Sequence, residues 1–227
     1  MTSCAILIPA RHASTRLPGK PLIELNGVPM IKRVYDKCRA TGFDTYVLTD
    51  DQQIYNIIGP NCFIDREEYD NGTERCAGAI ANFETLDEYN EFINVQGDMP
   101  DVTEHMIVKC RESLRYSDVA TVYTEMPEAL QNDPSSVKLI RHNNQCLWFG
   151  RGMTGYGDWH LGVYAYKRAA LEYYPTFELT QEEEVEKLEQ LRWLKNGRQI
   201  ACSSVYFDGI EINEPKDVEQ WHSKNSH

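Results

Sequence analysis

The sequence predicts a single α/β domain spanning 1–227, with a mostly parallel central sheet flanked by helices and a small antiparallel excursion at 136–166. Three observations predict it. Short apolar runs rich in β-branched residues alternate with segments of helical period, as in a sheet wrapped by helices. From residue 136 that alternation gives way to short strand-like runs joined by tight turns. No linker, repeat or low-complexity tract divides the 227 residues, a length that buries one good core.

Taken in order, residues 3–8 form an apolar run that reads as a buried strand and breaks at Pro9. After a basic loop, Met30, Ile31, Val34, Tyr35 and Cys38 recur at helical spacing until Gly42. Strands are predicted at 45–48 and 62–64. Asp70-Asn71-Gly72-Thr73-Glu74-Arg75 then leads into a helix at 76–83. A strand at 91–95 is stopped by Gln96-Gly97-Asp98-Met99-Pro100, and a helix at 106–114 precedes a strand at 119–123. Residues 137–141, 145–149 and 160–166 read as antiparallel strands, some of them outside the main sheet, with Asn143-Asn144 as a hairpin signal. One helix is predicted over 180–197, with Thr180 and Glu183 as a capping box and Val185, Leu188, Leu191 and Leu194 as its apolar stripe. A last strand at 200–206 and a helix beginning at Pro215 complete the chain.

The stretch that points to chemistry is the loop after the first strand. Three prolines and a glycine set its path, and Arg11, Arg16 and Lys20 ride on it. Between Pro9 and Arg33 there are five Lys or Arg and one acid, Glu24, in a chain whose net charge is −12. Ala10, Ala13 and Ser14 are small enough for backbone N–H groups to approach a phosphate closely. A guanidinium and an ammonium together suit a polyphosphate. A loop leaving the carboxyl end of the first strand is where open α/β sheets bind ligands. Ser14 stands where a Walker A loop has glycine, Pro21 stands where it has Ser or Thr, and no G-x-G-x-x-G occurs. A solvated basic loop is the bland alternative, and its charge contrast with the rest of the chain argues against it.

The acidic balance argues against nucleic acid or an anionic membrane as partner. There is no apolar stretch near the length of a membrane span and no charged segment before the first apolar run, so neither a span nor a signal peptide is expected. Seven scattered cysteines without a C-x-x-C pair fit a reducing cytoplasm, and six dispersed histidines offer no zinc spacing.

Pro9-Ala10-Arg11, continued by Ser14-Thr15-Arg16-Leu17-Pro18-Gly19-Lys20-Pro21-Leu22, closely resembles the opening of the CMP-Kdo synthetases (3-deoxy-manno-octulosonate cytidylyltransferases). Val95-Gln96-Gly97-Asp98, Asn71-Gly72-Thr73-Glu74-Arg75, Phe149-Gly150-Arg151, His160 to Tyr166 and Leu188-Glu189-Gln190-Leu191-Arg192 match further family elements in the same order, over nearly the whole chain. The resemblance implies a Rossmann-like nucleotidyltransferase fold. It also implies Mg2+-dependent transfer of CMP from CTP to an acidic 2-keto-3-deoxy sugar, and a homodimer paired through 136–166. It assigns Arg16, Lys20 and Asp98 to catalysis and Ala10, Arg11, Ser14, Asn71, Gly72, Arg75 and Gln96 to the nucleotide. The sugar would meet Arg75, Gln96, Arg151, His160, Glu184, Glu189 and Gln190, with Asp98 on the metal.

Three departures stand out. Asn213 replaces the second metal-binding Asp, and Glu211, two residues back and so on the same face of an extended chain, is expected to supply the missing charge. Glu184 and Trp159 stand where the family has His and Arg. Only eight residues, 152–159, separate Arg151 from His160, where the family has a longer excursion. The nucleotide half is therefore expected to be intact and the sugar half altered. A different hydroxyl or phosphonate acceptor, or a nucleotide-binding module impaired by Asn213, are the alternatives.

Overall fold

The computed structural model describes residues 3–11 and 17–226. Its strands are β1 (Cys4–Pro9), β2 (Glu24–Leu25), β3 (Val28–Pro29), β4 (Asp44–Thr49), β5 (Cys62–Ile64), β6 (Glu91–Val95), β7 (Val119–Thr124), β8 (Lys138–His142), β9 (Gln145–Gly150), β10 (Asp158–Lys167) and β11 (Ile200–Ser204). The helices are α1 (Met30–Ala40), α2 (Gln52–Ile58), α3 (Gly72–Asn82), α4 (Glu104–Glu112), α5 (Arg168–Tyr173), α6 (Gln181–Glu186), α7 (Gln190–Lys195) and α8 (Pro215–Lys224).

All strands but β2 and β3 share one sheet, ordered β5-β4-β1-β6-β10-β7-β11-β9-β8. β1 pairs in parallel with β4 and β6, and β4 with β5, so their carboxyl ends lie together along one edge of the fold. Side chains alternate between two buried clusters. Ile6 and Ile8 enter one and Ala5 and Leu7 the other, which is why β1 reads as an unbroken apolar run. β2 and β3 form a small separate hairpin turned by Asn26 and Gly27, both with positive φ.

The antiparallel excursion is inside the main sheet, contrary to the expectation that part of it stands apart. β10 lies between β6 and β7, antiparallel to both. Its first residues also pair with β8, Asp158 with Leu139 and Trp159 with Lys138, so β8 folds back and closes that side of the sheet into a ring. A bulge in β10 between Leu161 and Tyr164 sets Gly162 against Gln96, where an added Cβ would come within 3.2 Å of Cγ.

The single helix predicted over 180–197 is two helices. Lys187 adopts a left-handed conformation, φ 54, and ends α6, and α7 starts at Gln190. Thr180 caps α6 as expected, accepting from the Glu183 N–H, but the Glu183 side chain does not complete a capping box. It is buried against Arg192 instead. The break lets Leu188 and Leu191 enter the core while Val185 stays 73% exposed, so Val185 leaves the apolar stripe. Helix α3 begins a turn earlier than predicted, with Asn71 as its N-cap.

Candidate active site

The cleft is built where β1 and β6 end side by side. β1 delivers Pro9 and Ala10, and Ala10 is held by its N–H bond to Leu48 O at 2.9 Å. The expected phosphate contacts Ser14 and Arg16 lie outside the described residues. The chain re-enters at Leu17, turns through left-handed Gly19 and continues as a single 3-10 turn carrying Lys20. β6 delivers Gln96, Gly97 and Asp98. Gly97 sits so close to the first strand's exit that a Cβ would come within 3.2 Å of Pro9 O and 3.5 Å of the Ala10 Cβ. The N-terminus of α3 supplies Asn71 and Gly72, with Arg75 one turn on.

These segments enclose a cleft of about 220 Å³ lined by Ala10, Arg11, Lys20, Asn71, Gly72, Arg75, Gln96 and Asp98, together with Pro9, Pro21, Tyr69 and Gly97. Every described residue assigned to the nucleotide therefore meets at one place. Lys20 Nζ donates to Asp98 Oδ2 at 2.5 Å and reaches Asn213 Oδ1 at 3.5 Å. Residues separated by up to 193 positions in the chain thus converge on one cation. The 209–214 segment is pinned beside Asp98 because Ile212 N–H donates to Asp98 O. Asp101 secures its flank by accepting from Ile210 N and Trp221 Nε1.

Glu211 joins this group. Burial and the nearby Asp98 charge push its carboxyl up to about 7, opposed by a hydrogen bond from the Gly162 N–H and by the charges of Lys20 and Arg151. The β10 bulge thus places a main-chain donor on Glu211, a link that the sequence does not display. Asp98, Glu211 and Asn213 offer hard oxygen donors, the kind that suit Mg2+. Among the described residues no group of three or more His, Cys, Asp or Glu side chains is arranged to hold a metal unaided.

Arg75 is buried, with its guanidinium over the Tyr69 ring at 5.1 Å, Nη1 donating to Asp65 O and Nη2 3.9 Å from Asp50. Tyr69 and these two aspartates were not anticipated. Tyr69 stands immediately before the Asp70 to Arg75 run, which is the only local signal for it.

Of the residues assigned to the sugar, Arg75 and Gln96 line the cleft, and the other five fall into three groups. Arg151 donates from Nη1 to Ser135 O at 2.6 Å and from Nε to Glu186 O at 3.2 Å, and its charge acts on both Glu211 and His160. Glu189, Gln190 and His160 are packed within the fold. Thr73 N–H donates to Glu189 Oε2 at 3.2 Å, so that carboxylate braces the start of α3, and burial raises its pKa. Gln190 Nε2 is buried without a hydrogen-bond partner among the described residues. His160 meets Thr121 Oγ1 at 3.0 Å between the Phe149 and Tyr164 rings, and burial, with the Arg151 charge, lowers its pKa to about 3, so the ring is neutral. Glu184 is the exception, because it faces solvent on α6 and its neighbour Glu183 turns inward. Trp159 is also remote in character, buried against Phe207 with ring centroids 5.5 Å apart. Neither departure therefore lines the cleft.

Sequence reasoning missed the buried network behind this half. Arg192 donates through Nε and Nη2 to both oxygens of Glu183, at 2.6 and 2.8 Å, and through Nη1 to Glu74 at 2.7 Å, so α7, α6 and α3 are tied together. Asn71 Nδ2 reaches Glu183 Oε1 at 3.4 Å, which connects the network to the cleft.

A sheet of this topology with a cationic loop and an aspartate at the carboxyl ends of β1 and β6 defines a nucleotidyltransferase. The comparisons narrow the class. Residues 5–200 match the Cytidylyltransferase family model, and the chain belongs to that family. It is 38% identical to the 8-amino-3,8-dideoxy-manno-octulosonate cytidylyltransferase of Shewanella pealeana, over 94% of both chains. It is 35% identical to the 3-deoxy-manno-octulosonate cytidylyltransferase of Bartonella henselae, over 95% of both. The structure superposes with a TM-score of 0.89 on a CMP:2-keto-3-deoxy-manno-octonic acid synthetase complexed with CTP, at 28% identity and 99% coverage of each chain.

Proposed function

We propose that this enzyme transfers CMP from CTP to an acidic 2-keto-3-deoxy octulosonate, with Mg2+ bound at Asp98, Glu211 and Asn213. The observation that carries the reading is the meeting of Lys20, Asp98 and Asn213 beside a cleft lined by Arg11, Arg75, Asn71, Gln96 and the small residues Ala10, Gly72 and Gly97. The acceptor hydroxyl gives up its proton to solvent as its oxygen bonds the α-phosphorus, the bond from that phosphorus to the bridging oxygen breaks, and pyrophosphate leaves with the electron pair. Lys20 neutralises charge on the phosphates, and the ammonium is poised by Asp98 before substrate arrives. Asn71, Gly72 and Gln96 fix the nucleotide by hydrogen bonds, while Arg75, immobilised on Tyr69, keeps a cation at the cleft wall. Arg151 is assigned to the acceptor carboxylate. The metal, when bound, withdraws charge from the phosphates and helps align them.

The acceptor carries either a hydroxyl or an amine at C8, since relatives of both names match this chain equally well in length. A homodimer contacting through 136–166 is part of the proposal, with Leu147 and Tyr156, both half-exposed or more, as its apolar contacts. So is a cytoplasmic location, which suits seven free, buried cysteines. Among the described residues no helix is long and apolar enough to cross a membrane.

The test is pyrophosphate release from CTP with a panel of 2-keto sugar acids, including 3-deoxy-manno-octulosonate and its 8-amino analogue, with and without Mg2+. Release with at least one of them, dependent on the metal, is the expected result. CTP binding with no release for any acceptor would contradict it and favour a nucleotide-binding module impaired at Asn213.

A further inference from the structure

Lys138 has no exposed surface, which is unusual for a lysine. Its ammonium donates to three main-chain carbonyls: Asp133 O at 2.5 Å, Ser136 O at 3.1 Å and Arg151 O at 3.3 Å. An ammonium carries three donors and no acceptor, so the three carbonyls use its full capacity. Desolvation lowers its pKa, and the nearby Asp133 charge opposes that shift.

The three carbonyls come from the two segments that hold Arg151. Ser135 O, within the turn that Lys138 grips at both ends, accepts from Arg151 Nη1 at 2.6 Å. The turn is stiffened by Asp133 Oδ1, which accepts from Ser135 N and Oγ at 2.8 and 2.6 Å. The short loop after Arg151 closes directly onto the lysine stem, where Gly157 has φ +100 and an added Cβ would lie 3.1 Å from the Lys138 Cβ. Glu186 completes the grip, since its Oε2 accepts from Arg151 N at 2.7 Å. The guanidinium held this way is near enough for its charge to be felt at Glu211.

We propose that Lys138 is a positioning residue for the acceptor: its ammonium fixes the Arg151 backbone and the turn that aims the guanidinium, and so sets where the sugar carboxylate binds. This rests on the assignment of Arg151 to that carboxylate. Without the ammonium, Ser136 O and Arg151 O lose this donor, Asp133 O keeps only the Ser136 N–H, and the Arg151 loop shifts, while the nucleotide contacts, on β1, β6 and α3, are untouched.

Steady-state kinetics on the full enzyme, with CTP and the best acceptor from the panel, tests this with K138M, R151M and the double variant. The expected result for K138M is a KM for the acceptor raised about 10-fold or more, with kcat within about 3-fold and the KM for CTP unchanged. The double variant should be no worse than R151M alone, because Lys138 acts through Arg151. K138Q keeps two donors without the charge and should fall between wild type and K138M. It also serves should K138M not accumulate in soluble form. A K138M or K138Q that shifts the KM for CTP as much as that for the acceptor, or effects that add in the double variant, would overturn the proposal. An R151M with an unchanged acceptor KM would instead remove the assignment of Arg151, a separate result.

Discussion

The two halves of the cleft are built by different means. On the side proposed for the nucleotide, β1, β6 and the first turn of α3 bring their ends together, and Gly72 and Gly97 let them pack closely, against Gln96 and Pro9. On the side proposed for the acceptor, the support behind the cleft depends on buried charge. Arg192 joins Glu183 and Glu74, Lys138 joins three carbonyls, and Arg151 is held by Ser135 and Glu186. A wall of strand ends is specified by short local motifs, whereas a wall of buried ions is specified by partners scattered through the chain. The first kind tolerates change around it. The second fails as a unit, because removing one partner strands another charge away from water.

Four predictions break or sharpen that contrast. The largest effect is expected at Asp98, where Asp98→Ala should lower kcat for pyrophosphate release about 10³-fold with little change in thermal stability, because its carboxylate is proposed to hold the metal and is partly exposed. On the acceptor side the order reverses. Arg192→Met leaves Glu183 buried without its bidentate partner, and urea unfolding should show about 3–5 kcal/mol lost.

His160 gives a smaller, pH-dependent effect. Its pKa falls from 6.5 to about 3 in the fold, so between those values the unfolded chain holds a proton that the folded chain excludes. Stability should therefore fall as pH drops through that window, by up to about 1.4 kcal/mol per pH unit from this group. His160→Gln should remove that component, read as a shallower dependence of the urea midpoint on pH. The smallest effect is expected at Glu184, which faces solvent. Glu184→Ala should change the acceptor KM less than about 2-fold, and a large rise would place it in the acceptor wall after all.

The same contrast governs what the sequence reveals. Lys20, Asp98, Asn71 and Arg75 are legible because each sits in a short motif at a strand end or helix start, and their convergence follows from the parallel order of β1, β4 and β6. Asn26-Gly27 was equally local, a strong hairpin signal, yet the two-residue strands beside it are too short to show a period. Residues 180–197 look like one helix because their spacing is helical throughout. The break at Lys187 accompanies the burial of Glu183 on Arg192, which also bonds Glu74, more than a hundred positions away. The inward turn of Glu183 instead of Glu184 has the same origin. The placement of β10 inside the sheet, with Lys138 opposite Trp159, depends on pairings that no window of sequence contains.

In the proposed complex the loop after β1 and the turn after β6 grip one triphosphate between Lys20 and Asp98. A crystal structure with CTP and Mg2+ tests it most directly. Phosphate oxygens within hydrogen-bonding distance of Lys20 Nζ, with the metal on Asp98, are expected; a triphosphate bound elsewhere, with the Lys20–Asp98 pair intact, would rule this grip out.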